Sequence, residues 1–186
     1  MTTTLTDFST LTGTYTIDPS HSRFGFVARH AMVTKVRGSF NEFEGTATID
    51  GANPANSSVR VAIKVDSIDT RNAQRDEHLR TNDFLDAATY PEITFESTSI
   101  KHDGGDEFEV TGDLTIRGTT KSITLPLEYQ GSATDPFGNA RVGFEGSVVI
   151  NRKDWGVNFN VALEAGGVLV SEKVTLEFEI SAVKQA

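Results

Sequence analysis

The sequence predicts an all-β domain with one short helical insertion. Three observations predict it. Apolar and polar residues alternate with a period of two over most of the chain, the alternating runs end in turn chemistry, and residues 72–88 break the rhythm with helix-forming residues.

The alternation comes first. Val59, Val61, Ile63 and Val65 alternate with Ser58, Arg60, Lys64 and Asp66. Phe108, Val110, Leu114 and Ile116 share one face, opposite Glu107, Glu109, Thr111, Asp113 and Thr115. The same pattern returns in Ile123, Leu125, Leu127 and Tyr129, in Val142, Phe144, Val148 and Ile150, and in Val174, Leu176, Phe178 and Ile180. Successive strand side chains point to opposite faces, so this period marks half-buried antiparallel strands. His102-Asp103-Gly104-Gly105-Asp106, Asp135-Pro136-Phe137-Gly138-Asn139 and residues 51–57, with Asn53-Pro54, supply the reversals. Pro126 falls on the polar face of one run and predicts an edge or a bulge there.

Residues 72–88 are rich in charged helix formers and almost free of glycine and β-branched residues. They predict one helix and a further turn through Phe84, Leu85 and Ala88, capped by Thr81 or Asn82 and ended before Tyr90-Pro91. Such an insertion covers the open end of a barrel or sheet. Periodicity alone does not separate a sandwich from a barrel. With no repeat, heptad or linker, residues 13–184 read as a single domain, and the threonine-rich residues 1–12 as a flexible N-terminal tail.

Composition excludes several classes of function. The chain has 186 residues, no cysteine and a formal net charge of −9. Disulfides, zinc–thiolate sites and cysteine nucleophiles are therefore ruled out. The negative charge, with no run of Lys and Arg to offset it, argues against nucleic acid and against anionic membrane surfaces. No segment approaches the roughly 20 apolar residues of a bilayer span, so no stable membrane insertion is expected. The first residues lack the basic start, apolar run and cleavage site of a secretory signal, which reads as a cytoplasmic protein. Gly-x-Ser-x-Gly, Gly-x-Gly-x-x-Gly, phosphate-loop and His-x-x-x-His patterns are missing, so no catalytic residue, metal or cofactor is assigned.

The order and spacing of several segments carry a resemblance. They are Tyr15-Thr-Ile-Asp18-Pro19-Ser20-His21-Ser22-Arg-Phe24-Gly-Phe26 with Arg29-His30, then Gly38-Ser-Phe40-Asn-Glu-Phe43-Glu-Gly45. Next come Arg75-Asp76-Glu-His78-Leu79-Arg80-Thr-Asn-Asp83-Phe84-Leu85-Asp86 and Tyr90-Pro91-Glu-Ile93-Thr-Phe95. Gly112-Asp-Leu114-Thr115-Ile116-Arg117-Gly118-Thr119 and Asn151-Arg152-Lys-Asp154-Trp155-Gly156 complete the series. Together they resemble the YceI-like family of lipid-binding proteins over residues 13–184. The resemblance implies an extended, lipocalin-like antiparallel barrel of about eight strands around a long apolar tunnel. It also implies a polyisoprenoid or fatty-acyl ligand, carried or stored without chemical change. Many relatives are periplasmic and carry a signal peptide, and this chain departs from them there.

Phe24, Phe26, Phe95, Leu114, Ile116, Phe144, Val148, Phe159, Leu176 and Phe178 are the candidate apolar wall. Inward apolar faces suit both a hollow tunnel and a dry, filled core, and the resemblance favours the tunnel. Gly112 and Gly146 fall on inward positions, where a missing side chain leaves room for a ligand or marks a bulge. His30, Arg75, Asp76 and Arg152 are candidates for a polar rim. His30 ends the face of Phe24, Phe26 and Ala28, suited to a ligand head group or to a neighbouring carbonyl or carboxylate. Arg75 and Asp76 are adjacent and do not face each other on a helix. Their partners are expected in rim backbone, Arg152 or Asp154, forming a polar mouth or a latch over the barrel. His21, after Asp18-Pro19-Ser20, is expected to order a turn. An enzyme using rim His, Arg and Asp on a lipid or small organic molecule is one alternative function, and an interaction scaffold with a filled core is another. A homodimer is compatible with such barrels but has no sequence signal of its own.

Overall fold

A computed structural model describes residues 8–164 and 166–185. The alternating runs are antiparallel strands: β1 (Gly13–Ile17), β2 (Arg23–His30), β3 (Thr34–Phe40), β4 (Phe43–Ile49), β5 (Ser58–Lys64), β6 (Ile68–Asp69), β7 (Glu92–Gly104), β8 (Glu107–Ile116), β9 (Thr119–Thr134), β10 (Ala140–Asn151) and β11 (Lys173–Lys184). The order β1-β4-β5-β7-β8-β9-β10-β11 closes on itself because β11 also pairs with β1, giving the eight-stranded barrel. Closure turns the inward faces of the eight strands into one lumen.

The same strand β11 carries a branch. Its end pairs with β1 through Ile17↔Ala182, while its first half pairs with β2 through Phe24↔Phe178. β3 and β6 continue the sheet from β2. The switch from β1 to β2 is made by the Asp18-Pro19-Ser20-His21 turn. The Asp18 carboxylate accepts from Ser20 N at 3.0 Å, and His21 Nδ1 lies 2.8 Å from Asp18 Oδ2. His21 orders this turn as expected.

The reversals fall where the turn residues are. Gly104 (φ 106°) and Gly105 (φ 55°) adopt the left-handed conformation that the β7–β8 hairpin requires. Asp135 Oδ1 accepts from Phe137 N and Asn139 N across the β9–β10 loop. The β9–β10 ladder ends at Glu128↔Glu145, just before Pro126, which cannot donate to it.

The insertion forms α1 (Ala73–Arg80), capped by Asn72, whose side chain accepts from Arg75 N at 3.0 Å. A further turn follows, with Phe84 N donating to Thr81 O at 3.0 Å. Arg117 ties it to the β8–β9 turn by donating to Phe84 O at 2.9 Å. The insertion and Trp155 thus cover one end of the barrel.

The N-terminal tail differs from expectation. Phe8 precedes a 3-10 turn (Ser9–Leu11), and Phe8 and Leu11 are both buried. In 3-10 geometry residues three apart share a face, so the two apolar side chains enter the opposite end of the barrel together. Residues 1–7 of the expected tail lie outside the described residues.

An ion network braces that end. Arg141 donates to Asp18 Oδ2 and to Asp135 Oδ2, each at 2.7 Å. Its guanidinium is the main cause that holds Asp135 down to about 2 and Asp18 well below the ordinary carboxylate range. Carboxyls depressed in the folded state stabilise it fully above about pH 4, and the contribution is lost as pH falls through the folded values. Arg141→Met is therefore expected to lower the thermal midpoint at pH 7, with the deficit shrinking towards pH 2. Circular-dichroism melts across that range check this; an equal deficit at both ends would remove the network from the explanation.

Candidate functional site

The inward residues leave two apolar chambers, one above the other. The first holds about 100 Å3 and is walled by Phe108, Tyr129, Val142, Phe144, Ala182 and the N-terminal Phe8 and Leu11. The second holds about 130 Å3 and is walled by Phe24, Phe40, Phe95, Leu114, Ile116, Leu176 and Phe178. Val59, Val110, Leu127 and Ile180 line both and form the waist between them. An apolar cavity of about 150 Å3 admits one benzene. Each chamber as it stands therefore matches about one five-carbon unit.

Glycines set the thickness of the wall. A Cβ on Gly112 would stand 2.5 Å from the Phe95 ring, and one on Gly146 would stand 2.6 Å from the Phe178 ring. Phe178 pairs directly with Gly146 across the β10–β11 ladder. The space vacated by these glycines is thus taken by the protein's own rings and by the backbone carbonyls of Pro126 and Glu96, and is not ligand room. The β7–β8 register also shifts between Ser97 and Ser99, beside Ser97↔Gly112, so a bulge accompanies the first of them. The rings lie along the wall over glycine, which keeps them from filling the lumen's centre. Gly38 does the same for Phe26, whose ring would be 2.3 Å from an added Cβ.

Beyond the second chamber is a wider mouth of about 510 Å3, bounded by Phe26, His30, Val36, Arg75, His78 and Phe159. Phe26 in the mouth and Phe40 in the chamber are tilted neighbours with ring centroids 5.8 Å apart. One layer of rings therefore stands between mouth and lumen.

Six of the expected wall residues, Phe24, Phe95, Leu114, Ile116, Leu176 and Phe178, line the second chamber, and Phe144 lines the first. Phe26 and Phe159 line the mouth instead. Val148 packs against the buried cluster of Val65, Ile93, Leu114 and Trp155 and does not line a chamber.

The rim candidates divide. His30 is exposed at the end of β2 and borders the mouth. Arg75 also borders it, aimed by bonds from Nε to Thr70 Oγ1 and from Nη2 to Thr70 O, both 2.7 Å. Asp76 is buried and accepts from Thr70 N and Thr70 Oγ1. Of the expected partners, backbone is the one used, through Thr70 N and O together with the Thr70 hydroxyl, and Arg152 and Asp154 are not. Thr70, three residues before α1, serves both because its N–H, hydroxyl and carbonyl all meet the helix's first turn. Arg152 is buried and donates to the carbonyls of Val157, Ser171 and Val170, so it holds the loop beside the mouth. Burial pushes its guanidinium below the ordinary value, against the pull of Glu172.

Asp18, Ser20 and His21 are in contact, yet His21 Nδ1 meets both Ser20 Oγ (3.0 Å) and Asp18 Oδ2 (2.8 Å). A relay requires the two ring nitrogens to face different partners, and this cluster borders neither chamber nor mouth. Among the described residues no group of three or more His, Asp or Glu is placed to hold a metal ion. No helix among them is long and apolar enough to cross a membrane.

Three features escaped the linear reading. Phe8 and Leu11 enter the lumen, with only their three-residue spacing as a signal. The alternation puts Leu127, Tyr129 and Ile180 on inward faces, but their position at the waist or first chamber depends on barrel closure. Cross-strand pairing of Arg29↔Lys35 and Val27↔Arg37, with Lys173 nearby, also assembles a basic flank outside the mouth that no run in the sequence shows.

A closed eight-stranded barrel with an apolar lumen and a polar mouth defines a lipocalin-like barrel. The sequence profile of the YceI-like domain matches residues 15–182, and the chain belongs to the YceI-like family. Protein YceI of Escherichia coli O157:H7 is 41% identical over 179 residues, covering 95% of this chain and 90% of that protein. The crystal structure of BcnA from Burkholderia cenocepacia superposes with a TM-score of 0.78 at 27% identity, covering 89% of this chain and 98% of the other. A polyisoprenoid-binding domain from Saccharophagus degradans, implicated in plant cell wall breakdown, shares the fold with a TM-score of 0.69 at 16% identity, covering 92% and 98%.

Proposed function

We propose that this protein binds a chain-like apolar molecule of polyisoprenoid or fatty-acyl type in its lumen and carries or stores it without chemical change. The observation that carries this reading is the pair of apolar chambers meeting at one waist. The name of the S. degradans domain agrees with it. Burying apolar surface contributes roughly 25 cal/mol per Å2, less the ordering of the chain. The ligand's polar end lies in the mouth beside Arg75 and His30. Arg75 already spends two of its donors on Thr70 and has its remaining face towards the cavity.

A chain longer than about two isoprene units exceeds the chambers as they stand. Its entry requires the Phe26/Phe40 layer to part and wall rings to turn.

Native mass spectrometry of gently purified protein is the direct test. Adducts that organic extraction removes, and that farnesol or palmitate restores, are expected. Repeated absence of any adduct or uptake would end this reading. Arg75→Ala is expected to weaken palmitate about tenfold, the loss of a charge-assisted hydrogen bond, while affecting the corresponding alcohol much less. Equal weakening of both would remove Arg75 from head-group recognition.

A further inference from the structure

We infer that the N-terminal turn is a plug that closes the far end of the lumen and sets the length of chain the barrel accepts, an inference that rests on the binding function proposed above. Phe8 and Leu11 are 6% and 7% exposed, and both form part of the first chamber's wall. They lie before the residues that match the family profile, which begins at residue 15. The barrel strands therefore supply the tube, and a segment outside the matched domain supplies its stopper.

The plug is seated among the rings and aliphatic side chains of the first chamber. The Phe8 ring meets Phe108, Tyr129 and His102 edge-on, each at a centroid distance of 5.3 Å. Tyr15 Oη donates to Leu11 O at 2.9 Å, and Gly51 N donates to Thr12 Oγ1 at 3.0 Å. Gly51 lets the turn approach, since a Cβ there would stand 1.7 Å from Phe8 O. Among the described residues before Gly13, none makes ladder bonds to a strand. Two buried apolar side chains and these two side-chain hydrogen bonds contribute to its hold. An apolar chain end reaching the first chamber offers the same surroundings the same kind of surface, so ligand tail and plug compete for one space.

The test uses the full chain and a variant lacking residues 1–11, with geraniol, farnesol and geranylgeraniol as probes of increasing length. The variant is expected to bind geranylgeraniol about 100-fold more tightly, for roughly one further five-carbon unit buried, with geraniol changed less than threefold by the same reasoning. Phe8→Ala should move the length preference the same way. On the full chain, hydrogen exchange at Leu11 and Thr12 is expected to rise with geranylgeraniol and to stay unchanged with geraniol. An unchanged length profile together with unchanged exchange would overturn the plug while leaving lumen binding intact. Failure of every probe to bind either protein would overturn both.

Discussion

Val110→Phe is expected to abolish uptake of chain-like apolar ligands while leaving the barrel folded. Val110 is 2% exposed and stands at the waist, in the wall of both chambers. A phenyl ring there projects into chambers of about 100 and 130 Å3 and takes most of one of them. Overpacking costs about 1–3 kcal/mol, within the roughly 5–15 kcal/mol that holds a domain of this size together. The ligand fares worse. Denying it about five buried carbons at roughly 0.8 kcal/mol each removes about 100-fold or more in affinity. Val149→Phe, at a 58% exposed position on the outer face, is the control and should bind as the unmodified protein does. Displacement of a fluorescent fatty acid from the three proteins decides the matter. Undiminished binding by a folded Val110→Phe would place the ligand outside the lumen.

Particular elements show why some of this was legible before the structure. Ile123, Leu125, Leu127 and Tyr129 read as a strand face because period two is a local property of a pleated chain. The Asp135 and His102 turns read as turns because their residues carry the required dihedrals or side-chain acceptors. The β2–β3 reversal did not. It passes through Ala31 and Met32 at φ 50° and 66°, positions where turn chemistry would place Asn or Gly. What holds it is remote: Ala31 N donates to Leu169 O at 2.7 Å, a bond across 138 residues that no local pattern encodes. The site divides along the same line. Wall residues are periodic and were readable, whereas the separation of Arg75 from Asp76, and of His30 from Arg152, depends on which backbone atoms lie within reach after folding. Thr70 and the carbonyls of Val157, Val170 and Ser171 are such partners. The plug has no local signature for a related reason. Phe8 and Leu11, in a threonine-rich stretch, gain their burial from a barrel end that exists only once β1 and β11 have met.

Trp155→Ala is expected to be the most damaging single change to stability. Trp155 follows Arg152 in a short 3-10 turn after β10, and the turn ends at Gly156 in the left-handed region, φ 79°. The Asn151 side chain accepts from Lys153 N at 3.0 Å and fixes the turn's entry. That geometry sends Arg152 towards the mouth loop and Trp155 into the barrel end, where it is 3% exposed among Val65, Ala87, Ile93, Leu114 and Ile150. Its indole Nε1 donates to Leu114 O at 2.9 Å, bonding this turn to the backbone of β8. Truncation leaves a ring-sized cavity under the helical insertion and a buried carbonyl without its donor, a loss of about 3–5 kcal/mol. Trp155→Phe restores most of the packing but not the hydrogen bond, so about 1–3 kcal/mol should remain lost. This is the chain's only tryptophan, so urea unfolding is followed by circular dichroism, which does not depend on it. If the phenylalanine variant matched the original protein, packing alone would account for the residue. If it fell as far as the alanine variant, the bond to Leu114 would be what joins the cover of the barrel to its wall.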